Sequence, residues 1–207
     1  CFVEDYNYSK EKGCISVYQI DKKGYSKLGV ALVEDFHLAF PYIFEYEGEL
    51  FMCPDTHAKN DVRLYRCVDF PLKWEFEKVL IDNVSAVDTT IFFYKDRWWL
   101  MSNMDYSPVG EHYSQLHIFH SSSPISQDWV PHKNNPIIFD PLRARNGGFV
   151  NDQSKLYRVY QRQEFNSYGR AFGVAKIKSL DTEVYSEETL FEVEPHFFPN
   201  IIGTHTF

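Results

Sequence analysis

The chain has 207 residues, 44% of them hydrophobic and 17% aromatic, enough apolar material for one sizeable core. Its 21 basic and 29 acidic residues leave a formal net charge of −8, which argues against nucleic acid or an anionic membrane surface as a partner. No apolar run is long enough to cross a bilayer as a helix, and no signal peptide is visible.

Residues 1–36 begin acidic and then become strand-like. Cys14 to Gln19, a Lys22-Lys23-Gly24 turn and a segment from Tyr25 read as the last two strands of an incomplete unit. A full unit follows. Phe40 to Cys53 reads as strand, turn at Gly48, strand; Val62 to Arg66 is a third strand, and a fourth lies near Trp74. Pro41 is acceptable near a strand start, where no ladder donor is lost. The same order returns from Asp88 to Tyr94, through the Lys95-Asp96-Arg97 turn to Trp98–Met101, then Gln115–His120 and a strand near Trp129. It returns once more from Asn146 to Val159, then Ala171–Lys176 and a strand near Tyr185. Phe40, Asp88 and Asn146 hold one position in the three copies. Gly203-Thr-His-Thr-Phe207 reads as the start of another first strand.

Four strands recurring at roughly fifty residues are the mark of a β-propeller blade, whose two faces need neighbours to bury them. A β-sandwich also shows short strands at regular spacing. Because residue order repeats as well as spacing, the expectation is an all-β, partial β-propeller of about four blades in a single domain. The layout is a blade remnant over 1–36, blades over 40–85, 87–140 and 146–195, and the start of the next at 203–207.

Cys1, Cys14, Cys53 and Cys67 show no Cys-x-x-Cys spacing and read as free thiols of a reducing, cytoplasmic compartment. The eight histidines form no zinc-type set on one element, and neither a Gly-rich phosphate loop nor a nucleophile elbow is present. No metal or cofactor is expected, although a channel calcium held by water and carboxylates is compatible with a propeller.

Starts of successive innermost strands in a propeller converge on one end of one channel. That places Asp88, Arg145 and His205 together, with Asp55, Arg143 and Gln161 on the rim, beside His57. Carboxylates and guanidinium groups around a concave mouth suit a polar ligand. Asp88 and His205 would bond sugar hydroxyls, and Arg145 would anchor an acidic or phosphorylated group. Asp88 and Asp55 would be the acid and base if the site cleaves a glycosidic bond.

Five runs occur together in this order: His37 to Gly48, Leu64 to Trp74, Ser85-Ala-Val-Asp88, Trp129 to Pro136, and Gly203 to Phe207. Over nearly the whole chain they resemble the five-bladed propeller domain at the N-terminus of plant glucosamine inositolphosphorylceramide transferases. Bacterial relatives are linked to surface-glycan synthesis, some joined to sugar formyltransferase domains. The runs are more distantly similar to the propellers of glycoside hydrolase families 43 and 62. The resemblance implies five blades, a carbohydrate or glycolipid ligand, and a transferase domain or chain as partner. In family 43 the acid matching Asp88 orients the general acid. Here Thr89 replaces the proline after that acid, Pro54-Asp55-Thr56 stands where the group has Pro-Glu-Ser, and no inner strand with the general base precedes Cys14. These departures favour carbohydrate recognition over inverting hydrolysis, with a non-catalytic scaffold as the third reading.

Overall fold

The structure is a computed structural model that describes residues 1–107, 110–152, 155–164 and 167–204, with backbone only at 167–168. It is a β-propeller arrangement of four antiparallel sheets in chain order. The first contains β1 (Phe2–Asn7), β2 (Lys12–Asp21) and β3 (Gly24–Leu32). The second runs β4 (Ala39–Tyr46), β5 (Glu49–Asp55), β6 (Asp61–Asp69) and β7 (Lys73–Asp82). The third runs β8 (Ser85–Tyr94), β9 (Arg97–Asp105), β10 (Gln115–Ser121) and β11 (Val130–Pro131), with β12 (Ile138–Phe139) also on β10. The fourth runs β13 (Asn146–Asp152), β14 (Lys155–Glu164), β15 (Ser167–Leu180) and β16 (Tyr185–Val193). The fifth blade expected from the resemblance has no counterpart among the described residues.

The packing separates this fold from a two-layer sandwich. Each pair of successive sheets encloses its own apolar cluster. Ile15, Met52, Tyr65 and Trp74 fill the first gap; Phe51, Leu64, Leu100 and Trp129 the second; Trp99, Met101, Ile118 and Leu156 the third. Middle strands therefore bury both faces. Along β9, Leu100 faces the second sheet while its neighbours Trp99 and Met101 face the fourth, as the two-residue side-chain period requires. A fully buried side chain of this size contributes about 1.5–3 kcal/mol.

Two features differ from the sequence expectation. The acidic start is strand β1, paired with β2 from Phe2 opposite Val17 to Asn7 opposite Lys12. Composition hid it because Asp5 is neutralised across the sheet, taking hydrogen bonds from Ser16 Oγ and Lys27 Nζ. The strand near Trp129 is reduced to the fragments β11 and β12. Pro131 has no N–H to give, and the Asn135 side chain stands in for a strand by accepting from Ile118 N and donating to Ile118 O. All four cysteines are free thiols.

Candidate functional site

The inner strands β4, β8 and β13 each carry one residue more than their partners. Pairing slips between Ala39 and Tyr42, between Val87 and Thr90, and between Asn146 and Gly148. Such bulges re-aim side chains. In the first two, Phe40 and Asp88 adopt left-handed backbone, with φ of 42° and 54°, a conformation that costs a non-glycine residue of order 1–3 kcal/mol. In the third, the equivalent stretch contains Gly147 and Gly148, and Gly148 takes a φ of 142° that glycine alone adopts freely. Asp88 is thus not at the start of its strand but three residues inside it. Thr89 serves the bulge: its Oγ1 lies 2.8 Å from Ser102 Oγ, which donates to Val87 O.

Asp88 is 4% exposed and held at its backbone and its carboxylate. Its backbone N–H donates to Asp55 Oδ1 at 2.7 Å. Its carbonyl accepts from Asn146 Nδ2 at 2.8 Å, and its Oδ2 accepts from Arg145 Nε at 2.7 Å. Arg145 is held in place from behind. Gln161 N donates to Arg145 O. Asn103 donates to Ala144 O and accepts from Asn146 N, and Gln161 Nε2 donates to Asn146 O. Asp55, Asp88, Arg145 and Gln161 line one cavity of about 840 Å³.

Burial sets the protonation of this group. It pushes Asp88 up to about 6, against the pull of Arg145 and Gln161. It raises Asp55 well above the usual carboxylate range, and the nearby Asp88 charge raises it further. Both carboxyls are thus raised, and Arg145 counters the rise at both, holding Asp88 directly through its hydrogen bond.

The rim contains residues that the sequence did not mark. Glu4 and Tyr6 reach it from β1, and His37 from the turn before β4. Burial raises the Glu4 carboxyl. His37 Nε2 is 3.7 Å from Glu4 Oε1, and its Nδ1 accepts from Gly13 N. Gly13 is required there, since a Cβ would sit 2.4 Å from Leu38 O. His57 lies on the same rim with its pKa lowered, first by burial and then by His112 and His37. Glu4 carried no signal because β1 itself was not recognised. His37 stood inside the family-like run without a role.

Arg143 is not on this rim. Its Nη2 lies 3.4 Å from Glu187 Oε1 on β16, where it joins a second cluster around Arg158. Arg143 lies in the turn before β13, which aims it away from the bulge that Arg145 adjoins. His205 lies outside the described residues. Arg145 does not present an uncompensated charge for an anion, because Asp88 meets it. Among the described residues no group of three or more His, Cys, Asp or Glu side chains could hold a metal ion, and no helix is long and apolar enough to cross a membrane.

Four antiparallel sheets packed in succession around one mouth define a β-propeller, a fold shared with solved glycoside hydrolases. A thermostable family-43 glycoside hydrolase matches with a TM-score of 0.67 at 12% identity, covering 92% of this chain and 70% of that one. A family 117 glycoside hydrolase from Zobellia galactanivorans matches with a TM-score of 0.62 at 13% identity, covering 88% and 56%. At such identity the likeness concerns the fold alone. The sequence decides the family: residues 1–197 match the family described as glucosamine inositolphosphorylceramide transferase 1, N-terminal, and the chain belongs to it. Glucosamine inositolphosphorylceramide transferase 1 of Arabidopsis thaliana is 42% identical over 182 residues, covering 84% of this chain and 23% of that protein. Its counterpart in Oryza sativa subsp. japonica is 39% identical over 193 residues, covering 90% and 25%. The chain thus spans about a quarter of the length of these relatives.

Proposed function

We propose that this propeller recognises carbohydrate and works with a glycan-modifying transferase in surface-glycan or glycolipid synthesis. The observation that carries the reading is the Asp88–Arg145 pair, buried beside Asp55 and Gln161 at the mouth of the cavity. A carboxylate next to a guanidinium offers acceptors and donors in one plane, the arrangement that vicinal hydroxyls need. The pair has no net charge, so it suits hydroxyl groups better than the phosphate that Arg145 alone suggests. The relatives are named glucosamine inositolphosphorylceramide transferases, which supports a role in glycolipid synthesis. The test is a glycan array followed by calorimetry on the sugar retained. Losing a charged hydrogen bond in Asp88→Ala or Arg145→Ala is expected to cost about 1.5–3 kcal/mol, roughly tenfold to a hundredfold in affinity. Unchanged affinity in both variants rejects the site.

One observation favours glycoside hydrolysis as the second reading. Glu4 supplies a third carboxylate to the cavity that holds Asp55 and Asp88. The raised Asp55 would serve as acid and Asp88 as its electrostatic partner. Release of reducing sugar that disappears in Asp55→Asn and Asp88→Asn would establish this reading; retention of sugar without release leaves recognition as the function.

A further inference from the structure

The cavity has an apolar side that the acids and the arginine do not explain. Five aromatic side chains reach it, and four are employed elsewhere. Phe149 stacks on Phe92 with ring centres 3.8 Å apart, and Tyr42 packs on the second apolar cluster. Phe2 packs edge-on against Trp74, and Tyr6 leans on Tyr8 and His37. Phe40 differs. It lines the cavity, yet belongs to none of the three apolar clusters among the described residues. It also holds a φ of 42°, immediately before Pro41, which restricts its backbone further. A bulky residue in left-handed backbone is a true outlier. Phe40 is half-buried, but outside the apolar core, so core packing does not account for that strain.

The repeat indicates what does account for it. Phe40 and Asp88 occupy the same bulge in successive blades, both with positive φ, and both open onto the same cavity. One blade thus contributes an aromatic face and the next a carboxylate paired with Arg145. A ligand that meets both must be amphipathic in the same way, with hydroxyls on its edge and C–H groups on one face. A pyranose ring has this form. We propose that Phe40 is the stacking platform for a neutral pyranose residue whose hydroxyls face Asp88 and Arg145. This rests on the carbohydrate-recognition reading and adds the ring class and the residue that selects it.

The experiment compares Phe40→Gly and Phe40→Trp with the unaltered protein, reading thermal unfolding and calorimetric affinity for methyl pyranosides of glucose, galactose, mannose and N-acetylglucosamine. Glycine tolerates positive φ, so Phe40→Gly should unfold at an unchanged or higher temperature while binding the pyranoside roughly tenfold more weakly. Phe40→Trp should retain binding. A clear fall in the unfolding temperature of Phe40→Gly makes Phe40 a packing residue and overturns the proposal whatever the sugars do. If Asp88→Ala weakens binding and Phe40→Gly leaves it unchanged, the platform fails and the recognition reading survives. No binding of any pyranoside by the unaltered protein overturns both.

Discussion

Two buried arginine–carboxylate pairs lie on the same sheet junction and behave in opposite ways. Arg158 and Glu187 meet through two hydrogen bonds of 2.8 and 2.7 Å, and Tyr185 OH donates to the same carboxylate at 2.6 Å. Arg143 adds a weaker contact, and the Glu187 pKa is lowered despite its burial, which Arg158 outweighs. Arg145 Nε donates to Asp88 Oδ2 at 2.7 Å, beside a second acid, and burial wins: Asp88 and Asp55 are both raised. The ion pair alone does not explain the contrast. The outer carboxylate is surrounded by donors; the inner one faces another acid and a cavity. The first arrangement is built for stability. The second retains unfavourable electrostatics, which accords with the proposed recognition role.

Three measurements sharpen this comparison. The largest effect should come from Glu187→Ala, which leaves the fully buried Arg158 guanidinium without its carboxylate. Urea unfolding should show a loss of about 3–5 kcal/mol; a loss under about 1 kcal/mol would remove the structural role.

The inner pair predicts a pH dependence of the opposite sign. An acid whose folded pKa exceeds its unfolded value keeps its proton longer when folded, so stability falls as pH rises between the two values. For Asp88 that window runs from 3.8 to about 6. Across it the unaltered protein should lose up to about 3 kcal/mol relative to Asp88→Asn, with the raised Asp55 acting in the same direction. Parallel urea midpoints for the two proteins from pH 4 to 7 would contradict the assignment. Asparagine also tolerates the left-handed backbone at this position, so the variant tests charge rather than conformation.

The smallest effect belongs to a pair with the same chemistry and no burial. Lys73 and Asp69 lie 3.2 Å apart with side chains 69% and 66% exposed. Solvent screening should keep Lys73→Ala within about 0.5 kcal/mol of the unaltered protein. A larger change would mean that burial is not what separates the pairs.

The repeat unit was legible in the sequence because it is written in local chemistry. Alternating apolar residues and the turns at Gly48 and at Lys95-Asp96 are each set within a single blade, and Phe40, Asp88 and Asn146 mark the same position in three successive blades. Asp88 and Arg145 could be assigned to one mouth because the sequence sets both near the starts of successive inner strands, which a propeller converges on one end of its channel. Non-local pairing settled the rest. β1 became a strand by pairing with β2, from Phe2 opposite Val17 to Asn7 opposite Lys12, and with it Glu4 and Tyr6 reached the cavity. Arg143 and Arg145 read alike in sequence, yet Glu187 takes one and Asp88 the other, from partners 44 and 57 residues away. Charge alone does not choose between such partners. The choice depends on which carboxylate the packed sheets bring within hydrogen-bond reach, and on whether that carboxylate is left facing solvent, protein or an open cavity.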